Sequence, residues 1–258
     1  MEMFLSTPWQ HHIHRRILDD NHPILMVECK PEKFNITGGY TDILIIDEYQ
    51  LAATKAVANT TSIAYKLFKN IKPIYTLVQT YDQNGIWPTG ADLRNNNYQA
   101  LITGADAIGY YSISDAWINA EDKKMAIWER DDSGELWNAI SLFDNTEMPL
   151  AYAHFVRDES PCFNKDLSAD SHWYYSWVVG NDIYMVVLGM VEGQATEVTI
   201  PLTSSNGQIT IGEYTATVVA GEETGKTGNG SLNMTVDGVE AVLYKISPAA
   251  TVDYSSLN

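Results

Sequence analysis

The sequence predicts an α/β half followed by an all-β half. From residue 1 to about 156, continuous apolar runs are separated by stretches whose apolar residues recur every 3.6 positions. From about residue 171 the period shortens to two, and the segments are broken by "GND", "SSNGQ" and "DG", which are turn chemistry. The composition suits either one large domain or two ordinary ones: 258 residues, 45% apolar and 19% charged, enough for a sizeable core.

The elements follow in order. Trp9, Ile13, Ile17 and Leu18 fall on one face of an opening helix. "HPILMVEC" reads as a strand, and so does "TDILIIDEY". A helix comes next, with Val57, Thr61, Ala64, Leu67 and Phe68 as its apolar stripe. "KPIYTLVQTY" is a third strand. In "TGADLRNNNYQALITG", Thr89 is the expected N-cap, Asp92 the third helical residue and Gly104 the stop. "ADAIGYYSIS" is a fourth strand and "SGELWNAISLF" a further helix. Strands without polar alternation, separated by helices, imply a parallel sheet covered on both faces. About four such βα units fit an open doubly wound sheet or part of a (β/α)8 barrel. No glycine-rich turn follows any strand, so a dinucleotide or phosphate cradle is missing and no cofactor is expected.

The polar, aperiodic "RDESPCFNKDLSAD", residues 157–170, reads as a junction. Residues 171–248 carry five β-rich segments, from "HWYYSWVVG" to "GVEAVLYKI", and predict an antiparallel β-sandwich followed by a tail over 249–258. Tyr184, Val186 and Leu188 are expected in its core, with Trp173, Tyr175 and Trp177 as the competing set.

Several function classes are disfavoured. A net charge of −17 with no basic patch argues against nucleic acid. No run of 18 or more apolar residues occurs, so no membrane span is expected. Cys29 and Cys162 are too few for a disulfide framework or a CxxC metal site. His11 and His14 stand i and i+3 on a helix with no acidic or cysteine partner nearby, which reads as a solvated face and not a metal site. His154 and His172 flank the junction and read as hydrogen-bonding interface residues. No GxSxG elbow is present.

A strand ending in Asp-x-Tyr, then "KPIYTLVQTYD" and "PTGADLRNNNYQALITGADAIGYYSI", resembles the last strands of TIM-barrel glycoside hydrolases, many of which carry a small β-sandwich after the barrel. The resemblance spans roughly residues 20 to 145 and is strongest in "YQALITGADAIGYYS". It implies a partial (β/α)8 barrel holding strands five to eight, with the strand-four acid upstream of Met1. The open sheet edges then call for a second barrel half or a homodimer. It also implies hydrolysis of glycosidic bonds in an oligo- or polysaccharide. A secreted or periplasmic setting is implied for a full-length form, although residues 1–16 lack a basic-then-apolar leader.

In such a barrel the carboxyl ends of the strands line the active-site mouth. Each candidate strand turns polar there: Val27 gives way to Glu28, Ile46 to Asp47 and Glu48, Val78 to Gln79 with Asp82 beyond, and Ile113 to Asp115. Glycoside hydrolysis needs two carboxylates flanking the bond. Asp47, Glu28 and Glu48 are the catalytic candidates; alternation turns Asp47 and Glu48 to opposite faces, and Asp47 is favoured. Each also has a plainer role, since Asp47 could hold a loop, Glu28 could pair with Lys30 and Asp115 could cap a turn. Gln79, Tyr49, Tyr81, Asp82, Trp87, Tyr111, Asp115 and Trp117 are the expected sugar-binding set, amides and acids for hydroxyls and rings for apolar sugar faces. Many retaining barrel glycosidases carry a glutamate nucleophile after strand seven; the matching residue here is Gln79, an amide that can neither attack nor donate a proton. The alternative function is a non-catalytic glycan-binding or structural module, which predicts exposed aromatics on the sandwich.

Overall fold

The computed structural model describes residues 21–81, 87–113, 117–118, 124–127, 134–156 and 160–257. The helix expected around Trp9 and Ile13, and the residues His11 and His14, lie outside them.

Four parallel strands, β1 (Leu25–Glu28), β2 (Ile43–Glu48), β3 (Ile74–Gln79) and β4 (Ala107–Tyr111), pair in chain order. Helices α1 (Phe34–Gly39), α2 (Ala56–Phe68), α3 (Gly90–Thr103) and α4 (Glu135–Leu142) accompany them. All four pack on one face of the sheet. Leu44, Ile46 and Ile74 meet Phe34, Ala64 and Phe68, while Val78 meets Leu93 and Leu136. A doubly wound sheet reverses its strand order and carries helices on both faces; among the described residues this one does neither.

The other face departs from the two-sided cover that the apolar strands predict. Leu25 is 48% and Val27 52% exposed, and Ile43, Ile45, Tyr75 and Leu77 are only half-buried. The strands are apolar on both faces, yet among the described residues only one face has its cover.

Local chemistry sets the ends of these elements. Asp42 and Asp106 each precede a strand, and their carboxylates accept from the backbone N–H of Ile24 and Ile74 at 2.7 and 2.8 Å, tying neighbouring strands at their amino ends. Helix α3 opens with the expected capping box, Thr89 with Asp92, and closes at Gly104, whose φ of 113° lies in the left-handed region.

A short hairpin, β5 (Trp117–Ile118) with β6 (Lys124–Met125), follows β4. After α4 the chain passes through a π-helical turn (Phe143–Glu147) into α5 (Met148–Phe155).

The antiparallel half comprises β7 (Cys162–Asp166), β8 (His172–Val179), β9 (Asp182–Gly189), β10 (Ala195–Pro201), β11 (Glu213–Ala220), β12 (Lys226–Asn229), β13 (Ser231–Asp237) and β14 (Ala241–Pro248). Six of them form one sheet in the order β12-β11-β14-β9-β8-β7, and β10 pairs with β13 in a second. The two sheets share a core that includes Ile183, Met185, Val187, Ile200, Leu232 and Tyr244. Strand β7 falls inside the stretch expected as a junction, and Val252, Tyr254 and Leu257 of the expected tail pack back onto this core.

The expected core face of β9 is reversed. Val186 and Leu188, with Tyr184 at the margin, point toward the helical half together with Trp173, Tyr175 and Trp177. Both faces of β8 and β9 are buried, so their apolar runs do not reveal which face meets which neighbour. Trp177 is fully buried and its indole donates to Leu150 O at 3.1 Å. His154 bonds Ser160 O at 2.6 Å and Tyr175 Oη at 2.8 Å, an interface role as expected. Cys29 and Cys162 are free thiols.

Candidate functional site

In a parallel pair, residues in register point the same way. Asp47 on β2 stands level with Leu77 on β3 and Gly109 on β4, and Gln79 and Tyr111 form the next level toward the carboxyl ends. All lie on the face without helices. A methyl group on Gly109 would come within 2.6 Å of Leu77 Cδ2, so glycine leaves this level its room.

Tyr49 and Tyr81, just past β2 and β3, bring their rings to Tyr111. Tyr49 stacks on Tyr111 with centroids 5.5 Å apart, and Tyr81 stands edge-on to both at 5.2 and 5.8 Å. Tyr111 keeps 51% of its surface open to solvent. Its bond to Ser112 is cis.

The aromatic group shapes the chemistry of Asp47. Burial pushes the carboxyl above the usual carboxylate range, and a hydrogen bond from the Tyr49 hydroxyl pulls it partly back. Burial and the same bond push the Tyr49 phenol far up. Asp47 Oδ1 is buried with no hydrogen-bond partner among the described residues. A carboxyl in this setting holds its proton to higher pH than an exposed one and keeps one oxygen for a newcomer. Gln79 is buried, and its Nε2 donates to Tyr81 O at 3.0 Å, fixing the loop that carries that ring.

The other two catalytic candidates do not join Asp47. Glu48 turns to the helix face, where its Oε2 accepts from Thr60 Oγ1 of α2 at 2.9 Å. Glu28 is in register with Ile46, a helix-face residue; it accepts from Thr37 Oγ1 at 2.9 Å and from Lys30 N at 3.1 Å. Both carboxylates fasten helices to strand ends. Trp87 packs half-buried on the cluster of Val78, Leu93 and Leu136. Asp82 and Asp115 lie outside the described residues, as does the side chain of Trp117.

Sequence reasoning missed what holds the loop after Tyr49. Helix α3 presents a run of buried polar side chains to it: Asp92 Oδ1 accepts from Ala52 N at 3.1 Å, Asn96 donates to Gln50 O at 2.9 Å and Gln99 to Ala52 O at 2.8 Å. The signal was the polar string "DLRNNNYQ" in a helix bounded by strong caps, where solvent-facing residues would ordinarily show an amphipathic stripe.

No family model and no curated protein matches the sequence. Solved structures do match by shape. A GH27 β-L-arabinopyranosidase from Geobacillus stearothermophilus, in complex with arabinose, is 10% identical with a TM-score of 0.59, covering 96% of this chain and 56% of that one. An α-amylase from Geobacillus thermoleovorans, complexed with acarbose, is 13% identical with a TM-score of 0.57, covering 94% and 57%. A GH30 endoxylanase from Clostridium papyrosolvens is 12% identical with a TM-score of 0.52, covering 95% and 61%. The chain therefore spans well under two thirds of the length of each. At these identities the likeness is one of fold: a parallel sheet with its helices, joined to antiparallel sheets, in a glycoside-hydrolase-like arrangement.

Proposed function

We propose that this chain is the carboxyl-terminal part of a carbohydrate-active (β/α)8 barrel with an appended β-sandwich, and that the rim around Asp47 takes a saccharide for hydrolysis of a glycosidic bond. Further βα units, from another stretch of the same polypeptide or from a second copy, close the sheet at its β1 and β4 edges. The reading is supported by strands in chain order and, among the described residues, by helices on one face only and an apolar inner face without cover.

The observation that carries the functional part is Asp47 itself. It is a carboxyl on the inner face at the carboxyl end of β2, pushed toward its protonated form by burial and hydrogen-bonded to Tyr49, whose ring meets those of Tyr81 and Tyr111. Protonated, it donates to the glycosidic oxygen as the bond to the sugar carbon breaks; the departing alcohol carries the proton away, and water, activated by a second carboxylate or displacing it, bonds to the sugar carbon and gives up its own proton. The exposed face of Tyr111 offers a platform for a sugar ring. Glu28 and Glu48 lie on the helix face, bonded to Thr37 and Thr60, so the second carboxylate that hydrolysis requires comes from elsewhere; Asp82 and Asp115 are the remaining candidates on this chain.

One observation favours a binding role for the chain by itself. If β3 is read as barrel strand seven, the resemblance sets Gln79 at the nucleophile position of many retaining barrels, and no other carboxylate among the described residues acts on Asp47. The form of that alternative in which the antiparallel half offers Trp173, Tyr175 and Trp177 as a sugar platform loses its support, because all three rings are buried against the helical half.

A glycan panel, scored for both binding and bond cleavage, tests the reading. Tyr111→Ala should weaken saccharide binding severalfold to about tenfold, the range for one aromatic contact. Where cleavage is detected, Asp47→Asn should lower it by about a hundredfold or more while leaving binding in place, and Glu28→Gln should leave both unchanged. Absence of any saccharide binding would sink the proposal.

A further inference from the structure

A sizeable cavity lies at the other end of the sheet from Asp47. It is a cleft of about 670 Å³ between the carboxyl ends of α2 and α3, the amino ends of β3 and β4, and strands β7 and β8. That volume is within the usual range for small-molecule sites. In a chain of net charge −17, three lysines line it: Lys69, Lys72 and Lys165.

These lysines are held in distinct ways. Lys72 donates to Gly38 O and, at 2.6 Å, to Thr41 O, so its charge is fixed at the wall. Lys69 rests 5.4 Å from the centroid of the Tyr65 ring, and Lys165 rests 5.4 Å from that of Tyr175. Both are exposed, and among the described residues neither has a carboxylate within ion-pair distance. The aromatic faces take one side of each ammonium, and an ammonium has three donors.

Opposing charge is limited. Among the described residues Asp106 is the one carboxylate on the lining, and its Oδ2 already accepts from Ile74 N at 2.8 Å. The helix carboxyl ends add partial negative charge, about half an elementary charge each. The lysines outweigh these, and the walls of the cleft concentrate the field inside it.

We propose that this cleft binds a small sugar-sized ligand bearing one oxyanion group, a carboxylate or a phosphate, with Lys69 and Lys165 as the donors that close on the anion and Lys72 as fixed background charge. The proposal does not depend on the reading of the Asp47 rim.

The test is calorimetric titration of the full chain at low ionic strength with D-glucuronate, D-glucose 6-phosphate and, as the neutral control, D-glucose. Saturable binding is expected for at least one acidic sugar, with no comparable binding of glucose. The acidic sugar that binds identifies the preferred oxyanion. The double variant Lys69→Ala, Lys165→Ala should weaken it by about tenfold or more, the effect of losing one or more charge-assisted hydrogen bonds. Lys226→Ala, on the remote β12, and Asp47→Asn should leave it unchanged. Both target lysines are exposed, and an unchanged melting temperature for the double variant separates lost binding from lost folding. Three results would each overturn the proposal: no saturable binding of either acidic sugar, equal binding of glucose, or binding that follows Asp47 and ignores the lysines.

Discussion

Asp47 couples the proposed chemistry to stability, and the sign of that coupling can be worked out. Burial raises its carboxyl above 3.8, so over the interval between the ordinary and the raised value the folded state holds more protons than the unfolded chain. Its contribution to stability is therefore full below the ordinary value and is lost as pH climbs through the raised one. Asp47→Asn removes this loss. The variant should melt higher than the parent at neutral pH, by about 2–4 °C if the gain is near 1 kcal/mol in a chain of this size, and the difference should shrink toward pH 3. Paired melting curves from pH 3 to 8 check this, and because other carboxyls are common to both proteins, the difference isolates Asp47. A melting difference that grows toward low pH would contradict the assigned environment. Asp47 was legible in the sequence because an acid ended an apolar strand, and period-two alternation separated it from Glu48. The face of Glu28 was not legible, because register decides it and register is a property of the paired strands.

Among the elements, α3 joins the most parts. Besides the loop after Tyr49, it reaches the antiparallel half through Asn95, whose Nδ2 donates to Gly189 O at 2.7 Å and Val239 O at 2.9 Å. It reaches the π-helical turn through a buried pair: Arg94 Nε to Glu147 Oε1 at 2.7 Å and Arg94 Nη2 to Glu147 Oε2 at 3.1 Å, with Tyr98 Oη donating to Oε2 at 2.7 Å. Glu147 is fully buried, so removing it strands a guanidinium and a phenol. Glu147→Ala should cost about 3–5 kcal/mol in urea-unfolding free energy, and the paired change Arg94→Leu, Glu147→Leu should cost much less because no charge is then left alone. Equal costs for the two would mean that the pair is solvated. The caps of α3 were readable from Thr89, Asp92 and Gly104, but the partners of its polar run were not. Those partners are backbone carbonyls and a carboxylate far along the chain, and nothing local to "RNNNYQ" marks them. Strand β7 was hidden for a similar reason: "CFNKD" is a short edge strand with only Cys162 and Phe163 apolar, and its polar residues gave it the look of a linker.

At the scale of the molecule, the change of period near residue 170 separated the parallel from the antiparallel half, and each half's class followed from its period. What the period could not convey is which buried face meets which neighbour. Continuous apolar strands read as covered twice, yet among the described residues the inner face of the parallel sheet has no cover while both faces of β8 and β9 are closed. The two kinds of apolar face should respond differently to mutation. Leu44 is fully buried under α1 and α2, and Leu44→Ala should cost about 2–5 kcal/mol through lost burial and the cavity it leaves. Val27 is 52% exposed on the inner face, and Val27→Thr should change stability by no more than about 0.5 kcal/mol while lowering the binding of a hydrophobic dye. Urea unfolding at concentrations where sedimentation shows a monomer makes the comparison. If Val27→Thr instead costs more than about 2 kcal/mol under those conditions, the inner face is packed in solution by part of this same chain, and the need for further βα units to close the sheet disappears.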